Sequence, residues 1–89
     1  MYIEKPNDLL RWRQITCLVV HCIRTDNDIT QDEVAKTMHT SRAMIQQLEA
    51  GRRRIELAEL ILLAQALKTT PEIILKMIMT WAANVPGLK

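Results

Sequence analysis

The most concentrated chemistry in this chain lies in thirteen residues, RAMIQQLEAGRRR at 42–54, which hold four arginines, two glutamines and a single acid. An arginine presents a planar fork of N–H donors that matches phosphate oxygens or the O6/N7 edge of guanine. A glutamine pairs a donor with an acceptor and matches the edge of adenine. The formal net charge of the 89 residues is only +2. Residues 1–41 carry five Lys/Arg against six Asp/Glu, residues 42–54 four against one, and residues 55–89 three against three. All the excess positive charge therefore sits in one short segment. A cluster of that kind serves either as a solvated face or as an electrostatic footprint for phosphates.

Other reactive side chains do not assemble into a site. Cys17 and Cys22 form a C-x4-C pair within one apolar periodic stretch, a spacing that suits neither a disulfide framework nor a zinc knuckle, so both are expected reduced and packed. His21 and His39 have no acidic or cysteine partners at ligand spacing, and the carboxylates are scattered. No glycine loop is present to cradle a phosphate, and a thiol and histidine on one helix, Cys17 and His21, are weak grounds for a nucleophile. The expectation is a protein without catalytic residues, metal or cofactor.

The elements that must position residues 42–54 read as helices. Hydrophobic residues make up 48 % of the sequence and charged residues 25 %, a globular balance, while the aromatics are only Tyr2, Trp12 and Trp81 and the glycines number two. That composition favours helix over sheet, and the length allows one domain, spanning 1–89, with one modest core. The apolar runs at 15–20 and 57–67 are too short for a membrane span. The N-terminus has scattered charges and no cleavable leader, so a cytoplasmic location is expected.

Leu9, Trp12, Ile15, Val19, Cys22 and Ile23 recur at helical spacing and predict a first helix from Asp8 to about Thr25, ended by TDND at 25–28. Thr30 and Glu33 spell a capping box for a second helix over 31–38. Ser41 is the natural N-cap of a third, with Ile45 and Leu48 inward and Gly51 as its stop. Leu57, Leu60, Leu63, Ala64 and Leu67 define the inner side of a fourth. Thr70 and Pro71 start a fifth that runs to about Ala83. The tail NVPGLK at 84–89 is expected to be loose. Two short helices joined by a tight turn and followed by a basic loop can set the second helix in a DNA major groove. With Ile45 and Leu48 buried, the opposite side of the third helix carries Ala43, Gln46, Gln47 and Ala50, with Arg42 on its flank. Arg42, Ala43, Gln46 and Gln47 are the candidates for base contact, and Arg52, Arg53 and Arg54 for phosphate contact.

In ITQDEVA (29–35), SRAMIQQLEAG (41–51) and LILLAQALKTTPEIIL (60–75) the sequence resembles the lambda-repressor-like helix-turn-helix family, the Cro and Xre-type DNA-binding domains, over about residues 16–76. The resemblance implies an all-α, five-helix fold, here with an extended N-terminal helix, in which the third helix reads double-stranded DNA. It implies a homodimer on a palindromic operator. It puts Gln31 beside a phosphate and Arg42, Ala43 and Gln47 at base-contacting positions, and pairs Arg24 with Glu49 in a buried ion pair; Thr40 and Ser41 in the turn are further candidates for phosphate contact. Asp28 and His39 stand where the family carries glycine. At His39 a positive φ is expected, which a side chain tolerates less well than glycine does. Thr40 replaces an apolar residue, and the first 15 residues lie beyond the usual start.

On the fifth helix the polar residues Glu72, Lys76 and Thr80 share one narrow sector, and the apolar arc is wider than one core-facing stripe needs. The surplus, Ile78, Trp81 and either Ile74 or Leu75, is the expected dimer interface. The alternative is that the long first helix covers it within one chain. Two functions fit: a transcriptional regulator, most simply a repressor, encoded by a bacterium or phage, or the antitoxin of a toxin/antitoxin pair whose partner is a protein.

Overall fold

A computed structural model describes residues 6–84, which fold as five helices: α1 (Pro6–Asp26), α2 (Gln31–Thr37), α3 (Arg42–Glu49), α4 (Leu57–Ala66) and α5 (Pro71–Ala82). The described residues contain no strand. The C-terminal residues 85–89, most of the expected loose tail, lie outside them. No described helix is long and apolar enough to cross a membrane. Helix α1 packs along α5 and against α3, α2 packs on α3 and α4, and α4 on α5.

α1 is buried over an arc of about 200° at 100° per residue, because α5 and α3 both lie against it. Ile15, Val19 and Ile23 face into the core, and so do Val20 and Cys17, which a single apolar stripe does not include. Leu9, expected inside, is 49 % exposed: it sits in the first turns, at the rim of a groove shared with Trp12, Arg54 and Ile55. Cys22 is only half-buried. Leu57, also expected inside, is exposed because it is the first residue of α4 and stands ahead of the core that Leu60, Leu63, Ala64 and Leu67 enter.

The helices begin where side chains supply the missing acceptors. Thr30 and Glu33 exchange hydrogen bonds at the start of α2, Ser41 Oγ accepts from Met44 N, and Thr70 Oγ1 accepts from Ile73 N ahead of Pro71. Their endings share one geometry. After α1, α2, α3 and α4, one residue turns into the left-handed region: Asp28, His39, Gly51 and Lys68, with φ of 55°, 55°, 75° and 59°. The next residue then reaches back to the helix, as in Ile29 N to Arg24 O, Thr40 N to Ala35 O, Arg52 N to Gln47 O and Thr69 N to Ala64 O, at 3.0, 2.9, 3.0 and 2.9 Å. Each is a Schellman ending, a position that glycine takes without steric penalty. Only one of the four is glycine. At Gly51 an added Cβ would meet nothing nearer than Cys17 Sγ at 3.8 Å, so φ, not space, is what disfavours other residues there.

An L-residue in this conformation costs about 1 to 2 kcal/mol, part of which glycine gives back through a freer unfolded chain. His39→Gly and Lys68→Gly are each expected to stabilise the fold by about 0.5 to 1 kcal/mol, a rise in thermal midpoint of about 2 to 8 °C. Gly51→Ala should lower it. Thermal unfolding followed by circular dichroism measures all three, and a fall in midpoint for both glycine variants would refute the strain.

Candidate nucleic-acid interface

α3 is held by its inner side and by one end. Ile45 and Leu48 are each 1 % exposed and share the core with Val34 and Ala35 of α2, which packs on α3. The opposite side presents Ala43, Gln46 and Gln47 to solvent, with Arg42 exposed on its flank and Ala50 just after the helix. At the C-terminal end, Glu49 is nearly buried yet charged. Its side chain is 6 % exposed and that of Arg24 is 12 %. Arg24 Nε donates to Oε2 at 2.6 Å and Nη2 to Oε1 at 3.0 Å, a bidentate pair. Arg24 Nη1 donates to the Ile29 carbonyl at 2.9 Å. His21 Nδ1 lies 2.9 Å and Gln31 Nε2 3.4 Å from Glu49 Oε1. Burial acts to raise the Glu49 carboxyl, but the hydrogen bonds from Arg24 and His21, the Arg24 charge and the Gln31 contact outweigh it and hold the group below the usual carboxylate range.

Gln31 is thus half-buried at the start of α2, with one N–H toward Glu49 and a second remaining for a ligand. Ser41 Oγ accepts the cap bond and keeps its own hydroxyl proton for donation. Thr40 is half-buried in the turn.

The three arginines after α3 do not act alike. Arg53 grips Glu59 of α4 through Nη1 and Nη2 at 3.1 and 2.7 Å and also donates to the Arg54 carbonyl. These bonds hold the Glu59 carboxyl below its usual range. Glu59 in turn accepts from Glu56 N at 3.0 Å. Arg53, expected at a phosphate, braces the loop against α4 in the free protein. The loop's exposed cations are Arg52 and Arg54.

The expected dimer residues need correction as well. Ile74 and Ile78 are 0 % and 6 % exposed, and Trp81 packs partly against the same core. They form the stripe that the chain itself covers, with α1 lying along α5. The surplus of the apolar arc is Leu75 and Met79 on one flank, 49 % and 51 % exposed, and Ile73 on the other.

His21, without an acidic partner at ligand spacing in the sequence, meets Glu49 in the fold, and Asp32 and Glu59 carried no expected pairing. His21 is one turn before Arg24 and so was available as a partner of anything Arg24 holds. Glu59, three residues after Glu56, carries a helix-start signature. Asp32 gave no signal beyond its place in the first turn of α2. Among the described residues no group of three or more His, Cys, Asp or Glu could hold a metal. Burial pushes the Cys17 thiol up, away from the thiolate a nucleophile needs.

A helix-turn-helix family model matches residues 23–74, more than half of the chain. The chain belongs to the Xre-type helix-turn-helix family of DNA-binding domains. No curated protein matches the sequence. Among solved structures it is similar to an XRE-family like protein from Pseudomonas syringae pv. tomato str. DC3000, with 20 % identity and a TM-score of 0.73 over 80 % of this chain and 87 % of that one. It is also similar to a mutant of the restriction-modification controller protein C.Esp1396I, at 19 % and 0.76 over 82 % and 92 %. The clp gene regulator ClgR from C. glutamicum aligns at 22 % and 0.76 over 83 % and 96 %. At these identities the three structures share the fold.

Because the folded state holds Glu49 below its unfolded value, the stability it contributes is complete above about pH 4.3 and is lost as pH falls through the lowered folded value. Arg24→Ala is expected to destabilise by about 3 kcal/mol at pH 7, since it leaves a nearly buried carboxylate short of its main partner, and to flatten the stability profile below pH 4.3. Urea unfolding at pH 7 and pH 3.5 checks both, and a parental midpoint at pH 7 would refute the pair's importance.

Proposed function

We propose that the chain is a sequence-specific transcriptional regulator that binds double-stranded DNA as a homodimer, most simply a repressor occupying a palindromic operator in the cytoplasm of a bacterium or of a phage-infected cell. The observation that carries this reading is the outward side of α3, where Arg42, Ala43, Gln46 and Gln47 stand exposed together while Ile45 and Leu48 lock the inner side. Arginine and glutamine at those positions match guanine and adenine in the major groove, and an alanine methyl suits thymine. Gln31, Thr40 and Ser41 lie at the start of α2 and in the turn, with Arg52 and Arg54 beyond α3, where phosphate contacts would set the register without carrying sequence information. The solved structures of similar fold include a controller protein and a gene regulator, which supports regulation as the task. The reading assigns binding and no catalysis.

The dimer assignment moves to Leu75 and Met79. Two-fold pairing through them would bury an apolar strip that water now meets and set two copies of α3 about 34 Å apart on a palindrome.

A second reading, an antitoxin that binds a protein toxin and autoregulates its operon, is favoured by one observation. Leu10 and Leu18 of α1 are about half exposed, at 51 % and 54 %, on the side turned from the core and ahead of the residues that the family model matches. A stoichiometric second protein copurifying from the native host would favour it.

Selection of bound sites from random duplexes should enrich a palindrome. If nothing is enriched at moderate salt, specific recognition is wrong. On the selected operator, Arg42→Ala and Gln47→Ala are each expected to lose about 1 to 3 kcal/mol of discrimination at one base pair per half-site. Arg52→Ala should weaken all sequences alike and lower the salt slope by about one unit. Competition against single-base operator variants tells the two behaviours apart. Met79→Glu is expected to leave the thermal midpoint of a protomer nearly unchanged and to convert a dimer to a 10.3 kDa species. Sedimentation at micromolar concentration tests this, and a wild type already sedimenting at that mass would end the dimer assignment.

A further inference from the structure

The face that would meet DNA is not uniformly basic. Arg42 opens α3, and the first turn of that helix holds no acid. A guanidinium there faces the positive end of the helix dipole, which is unfavourable for the helix. The compensating carboxylate comes from α2: Asp32 Oδ2 lies 3.8 Å from Arg42 Nη1. The two residues face each other across an open groove between the end of α1 and the starts of α2 and α3, which Arg24, Asp28 and Gln31 also line. Their side chains are 60 % and 69 % exposed, and solvent at that exposure screens the pair so far that it contributes little to folding.

We propose that Asp32 is a positioning residue for Arg42 and sets how strictly Arg42 discriminates guanine. The proposal rests on the reading above, in which Arg42 meets a base edge. An arginine side chain at the rim of a groove reaches phosphate oxygens and base edges alike. A carboxylate beside Nη1 biases that choice in two ways. It draws the guanidinium toward α2 by charge, at a distance longer than a hydrogen bond, and turns Nη1 to that side, leaving Nε and Nη2 as a donor pair for guanine O6 and N7. Its negative charge, with that of Asp28 in the same groove, also opposes a phosphate beside Arg42, whereas a neutral base edge carries no such repulsion. Asp32 thereby lowers the affinity common to all sequences and raises discrimination at one base pair.

The test measures binding of the selected operator, its single-base variants and unrelated duplex DNA by wild type, Asp32→Asn, Asp32→Glu, Arg42→Ala and the Asp32→Asn/Arg42→Ala double variant, each at two salt concentrations. Asp32→Asn is expected to flatten the preference at the base pair that Arg42→Ala flattens, by about three- to tenfold, part of the range a bidentate arginine supplies. It should also tighten binding to unrelated DNA by about twofold or more, through loss of one repulsive charge. The double variant should be no flatter than Arg42→Ala, and Asp32→Glu should restore most of the preference. In the free protein, nitrogen relaxation at Arg42 Nε should show a more mobile guanidinium in Asp32→Asn. Uniform tightening with an unchanged preference profile would overturn the proposal and leave Arg42 as the reader. If Arg42→Ala itself loses affinity equally on every duplex, the base-reading assignment fails and the role of Asp32 falls with it.

Discussion

The carboxylate of Glu49 is the point on which the arrangement of α1, α2 and α3 depends. It lies at the end of α3, nearly out of water, and a charge in that position must be met by donors. Arg24 and His21 of α1 meet it, and Gln31 of α2 approaches it. Arg24 also takes the carbonyl of Ile29 in the link between α1 and α2. Apolar burial drives these helices together but is non-directional, whereas charge-assisted hydrogen bonds hold only over a narrow range of distance and angle. The core therefore decides that α3 packs, and Glu49 decides at what angle and register its outward side stands. A surface that reads base edges needs that second decision.

Short helices make the same demand in another way. α2 has seven residues and α3 eight, too few to persist without tertiary support, so their starts and stops carry much of their definition. Left-handed residues at Asp28, His39, Gly51 and Lys68 stop four successive helices and redirect the chain in one step each. The turn at His39 fixes α3 against α2. Asn27 ties the end of α1 to the end of α4 by donating to the Leu67 carbonyl at 2.9 Å. Strain at the non-glycine stops is offset by the burial they permit, as where Ile29, next after Asp28, enters the core at 4 % exposure.

The charges near α3 divide by task. Arg24 is turned inward and orients a helix. Arg53 is turned along the surface and ties the loop to α4. Arg52 and Arg54 face solvent, where they suit phosphates, and Arg42 stands at the start of α3 opposite a carboxylate. A count of positive charge over 42–54 treats four of these five arginines as equivalent. Their surroundings separate them, because a carboxylate partner fixes where a guanidinium points and offsets its charge, which weakens its pull on a phosphate.

Signals that act over three or four residues along the chain were legible without the fold. Thr30 with Glu33, Ser41, Thr70 with Pro71, and Gly51 mark helix ends through bonds between near neighbours. The spacing of Ile45 and Leu48 placed the inner side of α3 and, by subtraction, its outward side. The family resemblance added Arg24 with Glu49, a pairing that separation in sequence conceals. What only the tertiary structure decided is what lies against each surface. A helical wheel shows that the apolar arc of α5 is too wide for one stripe, but not which part α1 covers. Ile74 and Ile78 proved to be the covered part, and Leu75 and Met79 the remainder. Leu9 and Leu57 have the spacing of core residues and stand exposed because the core ends before it reaches them. The Arg53 side chain turned to Glu59, six residues on and across a loop, a choice set by where α4 begins in space. Period and capping are properties of a local helix, whereas burial and pairing depend on which other helices arrive, and that is a property of the whole chain.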